Sequence, residues 1–112
     1  MPDPVILSIS SQVAYGHVGN AAIVPALNAL GFEVLAVPTV LLAHHPGHGA
    51  PAGRALEPAE TAGLVEGLDK VGAFGPAVGM VSGYLGQPVM WAVTAMATVP
   101  MRNLAWCTVV RG

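Results

Sequence analysis

The spacing of apolar residues changes repeatedly along the chain. Short continuous apolar runs alternate with stretches in which apolar residues recur at helical spacing. The apolar runs are rich in β-branched residues and are bounded by Gly, Pro, Ser or Asn, which is typical of buried strands. They predict four strands, at Val5–Ser10, Glu33–Val37, Ala77–Ser82 and Leu104–Val110.

The stretches between these runs carry the helical signals. Three helices are predicted, at Asn20–Leu30, from Glu57 and Pro58 to about Val71, and at about Val89–Met101. Gly31 ends the first helix, and Pro58 occupies the favoured first position of the second. In the first helix the apolar residues at helical spacing are Ala21, Val24, Leu27 and Leu30. In the second, Leu64, Leu68 and Val71 are expected to face the sheet. The third helix is apolar nearly all round and carries no charge, so either it is buried on two sides or its sequence is aberrant.

Strands that alternate with helices predict β-α-β units joined by right-handed crossovers. The fold class is therefore α/β, a three-layer, Rossmann-like, mostly parallel sheet with flanking helices. With 112 residues the chain has room for a single domain, residues 1–112. The Gly/Pro-rich segment Pro46–Gly53 is expected to be a mobile loop.

Composition narrows the function classes. Hydrophobic residues make up 54% of the chain and charged residues 9%, against roughly 45–50% and 25% in an average soluble domain. We therefore expect an apolar face that another part of a protein covers. The net charge of −2 offers no basic surface for nucleic acid, and the single cysteine, Cys107, excludes an internal disulfide.

A membrane protein is a further possibility, because no Asp, Glu, Lys or Arg occurs between Lys70 and Arg102. Many Gly and Pro residues interrupt that segment, so a spanning helix is not predicted. The N-terminus lacks the basic and apolar regions of a secretion signal, which favours a cytoplasmic location.

Candidate binding chemistry gathers after the first strand. Ser10, Ser11 and Gln12 bring hydrogen-bonding groups to its end, and Gly16 and Gly19 allow a close backbone approach. Ligands bind at the carboxyl ends of the strands in open parallel sheets. A nucleotide cradle is not predicted, because Gly16–Gly19 lacks the lysine of a P-loop and no helix follows Gly49.

Three histidines, His44, His45 and His48, have spacing that could hold zinc. The surrounding glycines and proline give the loop little rigidity, and no nearby Cys or carboxylate completes a ligand set. We therefore predict no metal site at these histidines.

Four blocks of sequence together resemble the N-terminal part of the pyridoxal kinases, which belong to the ribokinase-like superfamily. These blocks are Ile6–Asn20, Leu30–Leu42, His44–Gly53 and Val81–Gly86. They occur in the family's order and spacing, so the resemblance runs from about Val5 to Gly86. It implies the N-terminal portion of a ribokinase-like fold.

The resemblance also implies a substrate site. Ser11 matches a hydroxyl that hydrogen-bonds the pyridine ring, Tyr84 an aromatic face against that ring, and His45 a histidine near the substrate. Val18 and Gly19 match an apolar wall and a close backbone approach. The full set of implied substrate-binding residues is Ser11, Val18, Gly19, Leu42, His45, Pro46 and Tyr84.

Some of these positions depart from the family pattern. The family commonly has phenylalanine at the position of Leu42 and threonine at that of Pro46, and we expect the loss of one hydrogen bond to weaken recognition without abolishing it. His48 falls where the family often has a tyrosine, and with His45 it is expected to contact substrate hydroxyl or aldehyde groups.

The implied activity is ATP-dependent phosphorylation of the 5′-hydroxymethyl group of pyridoxal, pyridoxine or pyridoxamine, by homodimeric enzymes that use ATP and Mg²⁺. Family members are much longer, and their catalytic base and ATP site match no residue up to Gly112. The family's Asp-Pro-Val-x-Gly corresponds here to Thr108–Gly112, without acid or proline. We therefore expect a truncated chain that binds neither ATP nor Mg²⁺ tightly and is inactive alone. Two alternatives stay open, a non-catalytic vitamin-binding or dimerisation fragment and a kinase for another heterocycle such as hydroxymethylpyrimidine.

Overall fold

A computed structural model describes residues 3–86, the three positions Met90, Val93 and Thr94, and the backbone of residues 106–109. The strands are β1 (Val5–Tyr15), β2 (Glu33–His44), β3 (Gly53–Ala55), β4 (Ala77–Ser82) and β5 (Trp106–Val109). The helices are α1 (Asn20–Ala29) and α2 (Pro58–Lys70), and a short 3₁₀ turn spans Pro46–His48.

The strands form one sheet in the order β3-β2-β1-β4-β5. β1 pairs in parallel with β2 and β4, β4 pairs in parallel with β5, and only β3 runs antiparallel, against β2. The predicted α/β fold with a mostly parallel sheet is therefore confirmed. Its central strand is buried continuously from Val5 to Ser11, because a central parallel strand is covered on both faces.

Two strands are longer than predicted. β1 was expected to end at Ser10 and β2 at Val37, but β1 continues to Tyr15 and β2 to His44, where these two residues pair. Ser11 and Gln12 interrupt the apolar run of β1, and Pro38 that of β2, but pairing between the two strands outweighs local propensity there. The register shifts between Ser10 and Gln12, with one extra residue on β2.

β3 was not predicted, and it begins at the end of the segment expected to be a loop. Gly53 pairs with Leu42 in the antiparallel ladder at a φ of +127°. A Cβ at this position would collide with the backbone carbonyl of Leu41, so only glycine fits. The glycine that suggested a loop therefore permits the strand.

The helices occupy the predicted regions, with some errors in the predicted apolar faces. Leu30, predicted as the last residue of the first helix, follows the end of α1 and is 73% exposed. In α2 the side chains of Thr61, Val65 and Leu68 turn inward. Leu64 lies about 100° around the helix from Val65 and is 47% exposed.

Val71, also expected to face the sheet, follows the last residue of α2 and is exposed. The predicted third helix, Val89–Met101, lies mostly outside the described residues. Within it, Met90 and Val93 are buried, and Thr94 Oγ1 donates a 3.1 Å hydrogen bond to the Met90 carbonyl. Among the helices that the structure describes, none has the length and hydropathy that crossing a membrane requires.

Candidate functional site

A cavity of about 660 Å³ opens at the carboxyl ends of β1, β2 and β4. This volume falls within the range of roughly 300–1,000 Å³ that is usual for small-molecule sites. The described residues that line it are Ser10, Ser11, Val13, Val18, Gly19, Ala22, Ile23, Val40, Leu42, His45, Pro46, Ala55, Val81, Gly83, Tyr84 and Gly86.

The lining contains all seven residues of the implied substrate-binding set, although His48, also expected at the substrate, is not among them. Ser11 and Gly19 come from β1 and the turn before α1, His45 and Pro46 from the end of β2, and Tyr84 from the segment after β4. They are up to 73 positions apart in sequence (84 − 11) and meet because parallel strands end at the same edge. Their contact with a ligand remains a prediction.

Ser11 lies in close contact with the turn that leads into α1. It is 8% exposed, and Gly19 lies against it with a φ of +57°. A Cβ on Gly19 would overlap both the carbonyl oxygen and the hydroxyl oxygen of Ser11. The glycine therefore lets the helix start approach the serine whose hydroxyl borders the cavity.

Asn20, the first residue of α1, fastens this helix to the sheet. Its side chain is 1% exposed, accepts a 2.6 Å hydrogen bond from Ser8 Oγ, and donates to the backbone carbonyls of Ser10 and Val37. One buried amide thus joins α1 to both β1 and β2. Sequence reasoning used Asn20 only as a helix start, although an Asn among apolar residues signals a buried polar network.

The backbone around Tyr84 is held by two contacts. Thr39 Oγ1 donates a 2.7 Å hydrogen bond to the Tyr84 carbonyl, and the Gly83 amide donates to the Ile9 carbonyl at 2.9 Å. A Cβ on Gly83 would overlap Ser10 Oγ, so glycine is required for this approach. The Tyr84 side chain is 52% exposed, which leaves part of its surface open at the cavity.

The histidine-rich turn contributes to the cavity with only one of its imidazoles. His45 lines the cavity, and its Nδ1 accepts a 3.0 Å hydrogen bond from the Gly47 amide. His48, expected to contact substrate beside His45, instead stacks on Tyr15 and is absent from the described lining. Among the described residues, no group of three or more His, Cys, Asp or Glu side chains could hold a metal ion.

The Asp, Glu, Lys and Arg side chains that the structure describes are not among the residues that line the cavity. Of the described lining residues, only His45 and Tyr84 have ionisable side chains. Arg54 pairs with Glu60 on the exposed surface, through two hydrogen bonds of 2.9 and 3.0 Å. The Arg54 hydrogen bond lowers the pKa of the Glu60 carboxyl to about 2, and a further hydrogen bond from the Glu57 amide acts in the same direction. The described lining therefore suits an uncharged or weakly charged molecule.

Curated proteins with similar sequences include several pyridoxal kinases. No protein-family model matches the chain. A pyridoxal kinase of Deinococcus radiodurans is 48% identical over 82 residues, which covers 73% of this chain and 28% of that protein. A pyridoxal kinase of Rubrobacter xylanophilus is 38% identical over 112 residues, with 96% and 39% covered. The chain thus spans well under half the length of these curated relatives.

Solved structures agree with the sequence relatives. The pyridoxal kinase of Leishmania donovani in complex with ADP and pyridoxamine matches with a TM-score of 0.79 and 27% identity, covering 94% of this chain and 39% of that one. A phosphomethylpyrimidine kinase of Clostridium difficile has a TM-score of 0.76 at 17% identity, covering 95% and 44%. The second likeness shows the fold alone. The homologues of this chain are pyridoxal kinases, as its sequence blocks predicted.

Proposed function

We propose that this chain, a homologue of the pyridoxal kinases, forms the vitamin-binding part of an enzyme that phosphorylates the 5′-hydroxymethyl group of pyridoxal, pyridoxine or pyridoxamine. The observation that carries this proposal is the common cavity. Seven residues chosen from sequence blocks in four separate parts of the chain all line it. Such convergence is the expected property of a binding site.

Each polar or aromatic member of the cavity has a proposed role. Ser11 Oγ hydrogen-bonds a polar atom of the pyridine ring, and the face of Tyr84 packs against that ring. His45 contacts a ring substituent, either a hydroxyl or the aldehyde. Val18 and Leu42 form apolar walls, and Gly19 brings backbone close to the ligand.

Pro46 distinguishes this cavity from the family pattern. A threonine there would offer a hydroxyl, whereas proline has neither a side-chain polar atom nor a backbone N–H. One hydrogen bond contributes about 0.5–1.5 kcal/mol, so we expect affinity about two- to tenfold below that of a threonine-bearing pocket. Pro46→Thr is therefore expected to tighten binding.

Phosphoryl transfer requires groups that the described cavity does not contain. None of its described lining residues is an acid, a lysine or an arginine, so those residues do not fit a metal or a triphosphate. We assign ATP, Mg²⁺ and the base that activates the hydroxyl to further parts of a full-length enzyme. Without ATP, Mg²⁺ and that base, both the positioning of the reacting groups and the proton transfer would be lost. Loss of a general base alone costs about 10²–10⁴ in rate.

The location and the oligomeric state of the full-length enzyme can be proposed as well. We propose that it is a cytoplasmic homodimer, and the 54% hydrophobic content of this chain supports an extensive covered face. Hydroxymethylpyrimidine is the less favoured substrate, since likeness to its kinases rests on the fold, whereas sequence homology and the cavity residues favour vitamin B6.

Two parallel measurements on the purified 112-residue chain test the proposal. Titration calorimetry with pyridoxine, which has no aldehyde to react with amines, is expected to show binding that weakens in Ser11→Ala and Tyr84→Leu. An assay of ATP-dependent pyridoxal phosphate formation is expected to show no product. Absence of binding by a folded chain would contradict the vitamin site, and product formation would contradict the assignment of catalysis to other parts.

A further inference from the structure

Three aromatic rings form a cluster beside the cavity, made by Tyr15, His44 and His48. Tyr15 is the last residue of β1 and pairs with His44, the last residue of β2. The His48 ring stacks on Tyr15 with centroids 5.3 Å apart and an interplanar angle of 29°, and it meets the His44 ring edge-on at 5.7 Å. None of the three is among the described residues that line the cavity.

The turn formed by residues 45–48 connects the ring cluster to the cavity. His45 and Pro46, at its start, line the cavity, and His48, at its end, belongs to the ring cluster. Within the turn, His48 N–H donates to the His45 carbonyl at 3.1 Å and Gly47 N–H donates to His45 Nδ1 at 3.0 Å. These bonds make the turn a small unit, so a restraint on His48 also restrains His45.

The surroundings of this turn give it few other restraints. Gly47, Gly49 and Ala50 are exposed, and glycine has a large conformational freedom that ordering must overcome. His48 is exposed and Tyr15 is 68% exposed, so neither ring is fixed by a surrounding core. The stack on Tyr15 and the edge contact with His44 are therefore the ring contacts, among the described residues, that hold the far end of the turn.

We propose that Tyr15 is a positioning residue, whose stack on His48 holds the turn that places His45 and Pro46 in the cavity wall. This inference deepens the proposed function, because it rests on the cavity being the vitamin site. Tyr15 does not touch the ligand. Loss of its ring permits the turn to move away and removes two wall residues from part of the population.

The first test follows the turn without any ligand. Amide exchange rates measured by NMR on the 112-residue chain are expected to rise about two- to tenfold at Gly47 and Gly49 in Tyr15→Ala, the range expected for loss of one aromatic pair. Tyr15→Phe keeps the ring and should leave these rates unchanged. Amides in the middle of β1 and β2 report on the sheet and should not change in either variant. Unchanged turn exchange in Tyr15→Ala would overturn the proposal.

The second test follows the consequence for binding. Pyridoxine affinity is expected to fall about two- to tenfold in Tyr15→Ala and at least as much in His48→Ala, which also removes the contact with His44. The double variant should bind no more weakly than His48→Ala, because that substitution already abolishes the stack on Tyr15. Tyr15→Phe should bind as the original chain does. Additive losses, or equal affinity in all variants, would contradict the positioning role. Failure of the original chain to bind pyridoxine would instead contradict the vitamin site, and the exchange rates would still decide the role of Tyr15 in the turn.

Discussion

Thr39 Oγ1 donates a 2.7 Å hydrogen bond to the backbone carbonyl of Tyr84, which lies 45 residues later in the chain. Thr39 is fully buried on β2, and Tyr84 lies beyond β4, on the opposite side of β1. This bond therefore fixes the position of a cavity residue from across the central strand. It makes Thr39 part of the site although its own side chain is not among the lining residues.

Thr39→Val replaces the hydroxyl by a methyl group of similar shape and leaves the Tyr84 carbonyl without this donor. We expect unfolding free energy to fall by about 0.5–1.5 kcal/mol and pyridoxine affinity to fall severalfold, because the hydrogen bond is lost and Tyr84 is released. Urea denaturation and calorimetry measure the two effects. Thr39→Ser retains the donor and is the control, and equal behaviour of the valine and serine variants would contradict this role.

Gly19→Ala tests the close approach between the start of α1 and Ser11. The added Cβ would overlap the Ser11 oxygens, and the positive φ of +57° is itself unfavourable with an L side chain. We expect a loss of at least about 1–3 kcal/mol in stability and a loss of pyridoxine binding.

Gly63→Ala is the matched control for that substitution. Gly63 lies inside α2, and a Cβ there meets no atom within 4 Å. Alanine is the better helix former by about 0.8–1.0 kcal/mol, so this variant should be slightly more stable. A Gly19→Ala chain as stable as the original would show that Ser11 has more room than the structure indicates.

Asn20→Ala tests the buried amide that joins α1 to β1 and β2. The substitution removes three hydrogen bonds and leaves Ser8 and two backbone carbonyls without this partner, so we expect a loss above about 2 kcal/mol. Asn28→Ala, on an exposed position of the same helix, should change stability by less than about 0.5 kcal/mol. Chemical denaturation distinguishes the two, and equal effects would exclude a special role for Asn20.

The ion pair of Glu60 with Arg54 makes the stability of the folded chain depend on pH in the acid range. Its pKa is lowered from 4.5 to about 2 in the folded chain, so its contribution to stability is present above the unfolded value and is lost as the pH falls from about 5 to 2. Glu60→Gln should therefore reduce the loss of stability over that range. The effect should be small and decrease in high salt, because both partners are exposed.

Denaturant unfolding at several pH values between 5 and 2 measures this difference. Glu66→Gln is the control, since Glu66 is exposed on the same helix and forms no ion pair among the residues that the structure describes. An identical pH profile for Glu60→Gln and the original chain would contradict the proposed coupling between Glu60 and Arg54.

The fold and the cavity could be predicted from the sequence because their signals are local. β-branched apolar runs fix the strands, and parallel pairing then brings their carboxyl ends together. The long-range contacts had no such signal. The extension of β2 to His44 depends on its pairing with Tyr15, far away in sequence. In α2, packing against the sheet buries Val65 and leaves Leu64 exposed, so the prediction that Leu64 faces the sheet was wrong.

The site shows the same division. Ser11 and Tyr84 were identified because their sequence blocks resemble those of the pyridoxal kinases, whereas Thr39 acts through a bond to backbone that no spacing rule encodes. His48 was expected at the substrate because it falls where the pyridoxal kinases often have a tyrosine. Its preference for the Tyr15 ring becomes visible only when the two strand ends are placed side by side.

The most direct test of the central claim, that one cavity holds the vitamin ring, is an NMR titration of the isotope-labelled chain with pyridoxine. We expect amide shifts concentrated at Ser11, Gly19, His45 and Tyr84, with α2 unaffected from Glu60 to Lys70. Tyr84→Leu should weaken the response, whereas Leu64→Ala, a comparably exposed apolar position outside the cavity lining, should not. Shifts centred elsewhere, or saturable binding that leaves Ser11 and Tyr84 unchanged, would contradict the account.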